Sequence, residues 1–369
     1  MRALVALAFA LGTAGAGAAG AATAGAGAAG GDAFRLGLPV RCAVGTECFI
    51  QNYVDRDPGP GWRDYACGAL SYDGHLGTDF RVANLAAMRR GVEVVAAAAG
   101  TVAAVRDGEP DLSVAERGRE TILGREAGNG VRIDHGGGWE TQYSHLLRGS
   151  VRVRPGQRVR AGEVLGMIGI SGNTEFPHLD FVVRRSGRVY DPFAPQADEA
   201  ARAAQAAQAA QAAGAGRPAA GKSASASAQC ADGPSQGTLW HDGVREQLRY
   251  RTSAVLIAGF STEAPERGKA QRGDYDGAQL ARDAPAVVFW VETAGIRKGD
   301  VETLEVRAPD GAALARRVLP FDGDLAVRFS FVGRRRGAEG WPEGVYRGRY
   351  RLVRGEAVVL ERELDLVLR

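Results

Sequence analysis

The stretch VRVRPGQRVRAGEVLGMIGI, residues 151–170, places short valine- and isoleucine-rich runs between glycine turns. Alternating apolar and polar positions over about four to eight residues are typical of half-buried strands. The runs at 100–105 and 130–134 have the same character. No amphipathic helix of useful length is evident between residues 34 and 196. This segment is therefore predicted to be an all-β domain, with the charged insertion 107–128 as a long surface loop.

A second β-rich segment follows after residue 230 and alternates more cleanly. Period-two alternation with turns near residues 308–311 and 341–344 predicts a sandwich of immunoglobulin-like type, whose apolar positions are expected to form its core. We find no catalytic constellation there. The apolar faces comprise Leu325, Val327, Phe329 and Phe331; Tyr346, Tyr350 and Leu352; and Val358, Leu360, Leu364 and Leu366.

Composition divides the chain into four parts. Residues 1–31 carry Arg2, a short apolar run and Ala/Gly-rich cleavage options, which predicts a signal peptide and leader. Residues 197–229 reduce largely to Ala, Gln, Gly and Ser, which predicts a linker. The two folded domains are then expected at 34–196 and 230–369. Their mature product should be exported to the periplasm or beyond the cell, with no membrane span after signal removal.

Charge and cysteine content narrow the function classes. The 46 basic and 43 acidic residues leave a net charge of +3 without long runs, so nothing demands a nucleic-acid partner. Four cysteines in an exported chain are expected to pair, and three pairings are open. A local Cys42–Cys48 loop is favoured, which would leave Cys67 and Cys230 as a long-range bridge.

The residues that carry chemistry lie between 75 and 180. His75 and Asp79 flank Gly77, so the chain can turn and bring both side chains to one cation. Strand alternation at 177–183 puts His178 and Asp180 on the same face. His145 lies among strand-forming residues. Each fragment by itself is weak evidence.

Together these fragments resemble the lysostaphin/LytM-type zinc metallopeptidases, a family with a β-sheet domain that contains a duplicated hybrid motif. The family's H-x-G-x-D block appears at 75–79 and its V-x-I-x-H-G strand at 131–136. Its T-x-Y-x-H-L strand appears at 141–146. The glycine-spaced run follows at 153–166 and the P-H-L-H-F-x-V strand at 177–183, in the family's order. The resemblance covers most of the first domain and none of the second.

The resemblance implies a role for each of five residues. His75, Asp79 and Asp180 would bind one Zn²⁺ per chain. His145 and His178 would act as general base and transition-state stabiliser. The implied substrates are the stem peptides or cross-bridges of peptidoglycan in the cell envelope. For the second domain, wall attachment, docking of another envelope protein and occlusion of the groove are all left open.

Asp180 departs from the family, which has histidine at this position. Aspartate also binds zinc, but an anionic ligand weakens the Lewis acid and makes the site harder, so that manganese is conceivable. Two interpretations follow: an active endopeptidase, or a degenerate relative that binds wall peptides or regulates another hydrolase. Retention of the other four positions favours activity. His135 is expected to be structural.

A third class of function, a carrier of a prosthetic group, is excluded because the first domain contains no lysine. The glycine-spaced run at 153–166 also resembles lipoyl and biotinyl carriers, which need a lysine to hold the prosthetic group. The first lysine of the chain is Lys222, in the linker.

Overall fold

The first segment folds around one antiparallel sheet of eight strands. A computed structural model describes residues 34–195, 237–277 and 281–368. The sheet order is β1-β2-β9-β6-β5-β4-β7 with β10 beside β9, while β3 and β8 form a separate pair. The strands are β1 (Cys48–Ile50), β2 (Thr78–Val82), β3 (Glu93–Val95), β4 (Gly100–Arg106), β5 (Asn129–Gly136), β6 (Trp139–Leu146), β7 (Arg158–Val159), β8 (Val164–Met167), β9 (His178–Arg185) and β10 (Arg188–Val189).

Helices in the described residues are short. Two of them lie within the insertion 107–128, which was expected to be a surface loop. Ser113 caps the first of these in a capping box with Glu116, while Val114 and Ile122 are buried. The insertion is therefore partly folded onto the domain. The helices are α1 (Leu85–Arg90), α2 (Val114–Arg117), a 3₁₀ turn (Arg119–Ile122), α3 (Asp242–Arg245) and α4 (Arg267–Arg272).

The second segment forms a sandwich of a three-stranded and a four-stranded sheet. The orders are β11-β12-β15 and β14-β13-β16-β17. Seven strands in two sheets agree with the predicted immunoglobulin-like sandwich, although the fourth strand, β14, pairs with the third. The strands are β11 (Ala254–Ser261), β12 (Ala286–Ile296), β13 (Asp300–Arg307), β14 (Ala313–Pro320), β15 (Leu325–Arg335), β16 (Gly344–Arg354) and β17 (Ala357–Leu368).

The sandwich core contains only some of the predicted apolar faces. Tyr346, Tyr350 and Leu352 are fully buried between the sheets against Phe289. The expectation for β15 is wrong, because Ser330 rather than Phe331 is buried. The apolar side of β15 faces away from the sandwich core. It packs beside β12 residues that contact the first segment. The alternation correctly predicted which residues of β15 share a face. It could not predict which of the two faces lies against the sandwich core.

The two segments share buried contacts. The described residues from Arg35 onward form one compact unit. Trp240 lies in the core of the first segment, where its ring packs on Phe80, Phe181 and Phe193. Leu36 exchanges backbone hydrogen bonds with the neighbours of Trp240. The boundaries predicted at 196 and 230 fall outside the described residues and stay a prediction.

Some of the other sequence-based predictions concern residues that the structure describes, and the rest concern residues outside them. Cys42 and Cys48 form the expected local disulfide. Cys67 is also disulfide-bonded, and its predicted partner Cys230 lies outside the described residues. The predicted leader 1–31 and linker 197–229 lie outside them as well. Within the described ranges no helix is long and apolar enough to cross a membrane.

Candidate metal centre

Three potential ligands converge at the junction of β2 and β9. Asp79 and Asp180 are directly paired across these antiparallel strands. His75 reaches them from the loop before β2, and its Nε2 lies 3.1 Å from Asp79 Oδ1. One ligand atom from each of the three residues lies within 4.8 Å of the other two. This spacing is close to what ligands about 2.0–2.2 Å from a common zinc ion require.

Hydrogen bonds orient two of the three ligands. His75 Nδ1 lies 2.8 Å from the Tyr53 carbonyl oxygen, to which it donates. Nε2 is then the nitrogen available to a cation, as in most histidines that bind metals. Asn52 Nδ2 donates to Asp79 Oδ2 at 2.7 Å and leaves Oδ1 facing His75.

Asp180 is buried with an unsatisfied oxygen. Its Oδ1 has no hydrogen-bond partner among the described residues. A methyl group on Gly77 would overlap this oxygen, so any side chain there would displace the Asp180 carboxylate. Burial, followed by repulsion from Asp79, raises the pKa of Asp180 to about 7. A divalent cation would satisfy this oxygen and remove the repulsion, so the three residues fit a metal.

The charges of His75 and Asp79 are coupled. Burial by itself lowers the pKa of His75, but the attraction of Asp79 outweighs it and raises the pKa to about 9. Burial raises the pKa of Asp79, but His75 and His178 outweigh it and hold the pKa below its usual range. Without a cation, the protonated imidazole supplies the positive charge at this centre.

His145 and His178 lie beside the three ligands. Their rings are 4.7 Å apart, and His178 Nε2 lies 3.5 Å from Asp79 Oδ1. His145 Nδ1 donates to the Ser171 carbonyl at 2.7 Å, and His178 Nδ1 lies 3.0 Å from the Phe176 carbonyl. In both residues Nε2 is thereby left with its lone pair. His145 also takes a left-handed backbone conformation, with φ of 64°.

Both imidazoles are held neutral near pH 7. Burial, followed by repulsion from His178, lowers the pKa of His145 to about 3. Burial also lowers the pKa of His178, although Asp79 opposes this shift. Neutral imidazoles with an available Nε2 can accept a proton from a reacting group.

Asp79, Asp180 and the two imidazoles line a groove with a cavity of about 620 Å³. Trp62 and Tyr72, each about half exposed, contribute aromatic surface to it. Tyr72 also stacks on His75, with 4.4 Å between ring centroids. A cavity of this size can hold several peptide groups.

Sequence reasoning placed five site residues and missed their supports. His75, Asp79, Asp180, His145 and His178 all lie at this centre. By contrast, the ring nitrogens of His135 lie within hydrogen-bond distance of Ala99 O and Thr141 Oγ1 inside the sheet, in keeping with its expected structural role.

The missed supports lie in the segment 48–54, whose sequence carries no recognisable chemical motif. It supplies both Asn52 and the Tyr53 carbonyl, and no local sequence pattern reveals either.

Residues 73–192 match the family model of Peptidase family M23. This segment is an M23 peptidase domain. The match contains all five residues of the centre, from His75 to Asp180. It agrees with the predicted resemblance to lysostaphin/LytM-type metallopeptidases.

Two curated relatives resemble part of this chain. The cell division protein DipM of Caulobacter vibrioides is 37% identical over 91 residues, which span 24% of this chain and 14% of DipM. The DD-carboxypeptidase/endopeptidase Mpg of Neisseria meningitidis serogroup B is 39% identical over 74 residues, which span 20% of this chain and 16% of Mpg. The chain thus spans less than a fifth of the length of either relative.

Solved structures of M23 domains are similar to part of this chain. The catalytic domain of lysostaphin from Staphylococcus simulans is 20% identical with a TM-score of 0.26, over 38% of this chain and 85% of that domain. The catalytic domain of the prophage-encoded M23 protein EnpA from Enterococcus faecalis is 20% identical with a TM-score of 0.28, over 40% and 91%.

Proposed function

We propose that this chain is an exported zinc metalloendopeptidase that hydrolyses peptide bonds in peptidoglycan stem peptides or cross-bridges. The observation that carries the proposal is the convergence of His75, Asp79 and Asp180 next to an open groove and beside two neutral imidazoles. Membership of the M23 peptidase family supports the reaction class. The relative Mpg carries the name of a carboxypeptidase and endopeptidase.

His75, Asp79 and Asp180 would hold one zinc ion in this proposal. When bound, zinc supplies a Lewis acid that polarises a carbonyl and acidifies water. His145 and His178 present Nε2 lone pairs because their Nδ1 protons are directed to backbone carbonyls. One of these nitrogens can accept the proton of the attacking water. Once protonated, an imidazole can donate a hydrogen bond to negative charge developing on the substrate.

Export is proposed from the leader at 1–31 and from cysteine use. The Cys42–Cys48 disulfide suits an oxidising compartment such as the periplasm or the cell exterior. Peptidoglycan lies in that compartment. Docking of another envelope protein to the sandwich would also take place there.

A second candidate is a non-catalytic protein that binds wall peptides or regulates another hydrolase. Asp180 favours it, because a second carboxylate at the centre reduces the charge that a bound cation presents to a substrate. The first candidate requires both a bound metal and peptide cleavage. The second predicts binding without cleavage.

Metal content and wall digestion test the proposal on the same sample. Purified protein should contain about one zinc per chain, and mass spectrometry should detect new peptide termini in digested wall fragments. Asp79→Ala should abolish both, because it removes a ligand. Asp73→Ala, which removes an exposed carboxylate from the same loop, is the matched control and should retain both. Metal-free wild-type protein that binds wall material without cleaving it would favour the second candidate.

Asp180→His tests the unusual ligand separately. If Asp180 binds the metal, histidine should keep zinc and maintain or raise cleavage, because a neutral ligand leaves a stronger Lewis acid. Elemental analysis and the rate of wall clearance measure these two outcomes. Loss of zinc from the variant would show that the site is built around aspartate.

A further inference from the structure

The groove at the metal centre has a second wall that the M23 domain does not supply. Along with residues of the M23 domain, the cavity is lined by the end of β12, by the turn after it and by the start of β15. These lining residues of the sandwich include Ile296, Arg297, Asp324 and Leu325. A substrate in the groove therefore contacts both domains.

Buried contacts hold this wall against the M23 domain. Arg81, on the same strand as Asp79, reaches across to Glu292 on β12 with 3.4 Å between the charged groups, and both side chains are almost fully buried. Tyr250 donates a 2.7 Å hydrogen bond to Asp64. Phe49 packs against Leu256 and other apolar residues of the sandwich. A charge pair excluded from water is costly to break, so the wall is positioned rather than loosely tethered.

The turn that carries Arg297 is itself fixed. Its backbone N–H donates to the buried carboxylate of Asp300 at 2.9 Å, and Asp300 is bound in turn by Arg354. The next amide, that of Lys298, donates to Asp324 at 2.7 Å. The backbone of the turn is thus held from two sides, while the side chains of Arg297 and Lys298 are exposed.

Arg297 carries a charge that no described residue neutralises by direct contact. Its side chain is exposed and forms no ion pair or hydrogen bond within the described ranges. On the same wall, Asp324 is already engaged by the Lys298 amide. A planar guanidinium with all its donors available matches the two oxygens of a carboxylate.

We propose that the sandwich forms the substrate-binding wall of the groove and that Arg297 binds a free carboxylate of the peptide substrate. The inference rests on the proposed function, because it takes the occupant of the groove to be a wall peptide. Such peptides offer a carboxylate at their C-terminus. The cavity of about 620 Å³ leaves room for a peptide, so the sandwich lines the groove without filling it.

Equilibrium binding to as-purified protein tests this assignment independently of turnover. The probes are two non-cleavable reduced-amide stem peptides that differ only in a C-terminal carboxylate or carboxamide. Wild type should bind the carboxylate about tenfold more tightly, and Arg297→Ala should remove that preference while binding of the amide is unchanged. Arg297→Lys should keep part of the preference, because it retains the charge and loses the planar fork.

Lys298→Ala is the matched control, since it removes the adjacent exposed charge, which does not line the cavity. It should leave the preference intact. The proposal is overturned if wild type shows no preference, if Arg297→Ala keeps it, or if Lys298→Ala removes it equally. Arg119 is a groove residue of the M23 domain. Loss of the carboxylate preference in Arg119→Ala instead of Arg297→Ala would also overturn the proposal. An Arg297-dependent preference in a protein that cleaves no wall peptide would refute the proposed hydrolysis and leave this inference standing.

Discussion

The potential ligands are positioned by neighbouring residues that are not themselves proposed to bind the metal. Asn52 fixes one oxygen of Asp79, and the Tyr53 carbonyl fixes the tautomer of His75. Gly77 leaves the space that Asp180 occupies, because any side chain at Gly77 would overlap the Asp180 carboxylate. These three neighbours decide whether the ligand atoms point at a common position.

Asn52→Ala should weaken zinc binding by about tenfold or more, because partners of metal ligands typically contribute that much to affinity. The measurement is competition for zinc with a chelator of known affinity. Asn173→Ala is the control, since Asn173 lines the same groove and its side chain binds no ligand residue. Equal zinc affinity in wild type and Asn52→Ala would show that the hydrogen bond to Asp79 does not orient the ligand.

Strand register brings distant residues of the centre together. The pairing of β2 with β9 sets Asp79 opposite Asp180, and the pairing of β6 with β9 sets Ser144, the neighbour of His145, opposite Asp180 as well. A shift of one residue in either pairing would move these side chains to the other face. The centre is thus a property of three adjacent strands.

The turn that begins β13 is stabilised by the buried charge of Asp300, and this contribution to the stability of the fold varies with pH. Burial alone would raise the pKa of Asp300, but hydrogen bonds from Arg354 and from the Arg297 amide outweigh it and lower the pKa. Asp300 therefore stabilises the fold above its unfolded pKa of about 3.9, and this contribution is lost as pH falls through the lower folded value.

Asp300→Asn should reduce the free energy of unfolding at pH 7 by about 3 kcal/mol, because it leaves Arg354 without its charged partner. The difference from wild type should shrink as the pH falls below about 4, where the unfolded carboxyl takes up a proton, and should vanish below the lower folded pKa of Asp300. Urea unfolding at a series of pH values measures it. Asp365→Asn, at an exposed pair with Arg347, should change stability little at any pH. A pH-independent difference for Asp300→Asn would contradict the assignment.

At the scale of the whole molecule, the M23 domain and the sandwich share a buried ionic contact close to the metal centre. Glu292 accepts hydrogen bonds from Arg267 and Gln271 and pairs with Arg81. The Arg81 guanidinium lies 4.7 Å from the centre of the Phe176 ring, which stacks on His178. Loss of Glu292 would therefore affect both the joint between the domains and the position of His178.

Glu292→Gln should lower the free energy of unfolding by about 3 kcal/mol, because it leaves Arg81 buried without a counter-charge. It should also reduce cleavage by folded protein, because Arg81 then no longer holds Phe176 against His178. Urea unfolding and wall-clearance rates measure the two effects. Glu343→Gln, at an exposed pair with Arg282, is the control and should change neither. Unchanged stability in Glu292→Gln would show that the contact does not join the domains.

Local patterns predicted the strands and the order of the site residues. Alternation and glycine turns identify strands because side-chain direction repeats every two residues, and the ordered His and Asp motifs identify the M23 domain. The inward face of β15 was not predictable in this way, because both faces of that strand meet other protein. Asn52 was equally hidden, since it carries no local signal.

By itself, the sequence determined the β architecture and the M23 resemblance, and it singled out His75, Asp79, His145, His178 and Asp180 as candidates, because each inference rests on motifs of residues a few positions apart. Only the tertiary structure decided that Asn52 supports Asp79, that β15 turns its apolar side toward the M23 domain, and that Arg297 enters the groove. These last contacts join residues far apart in the chain. Their geometry follows from how whole sheets pack, which no local periodicity encodes.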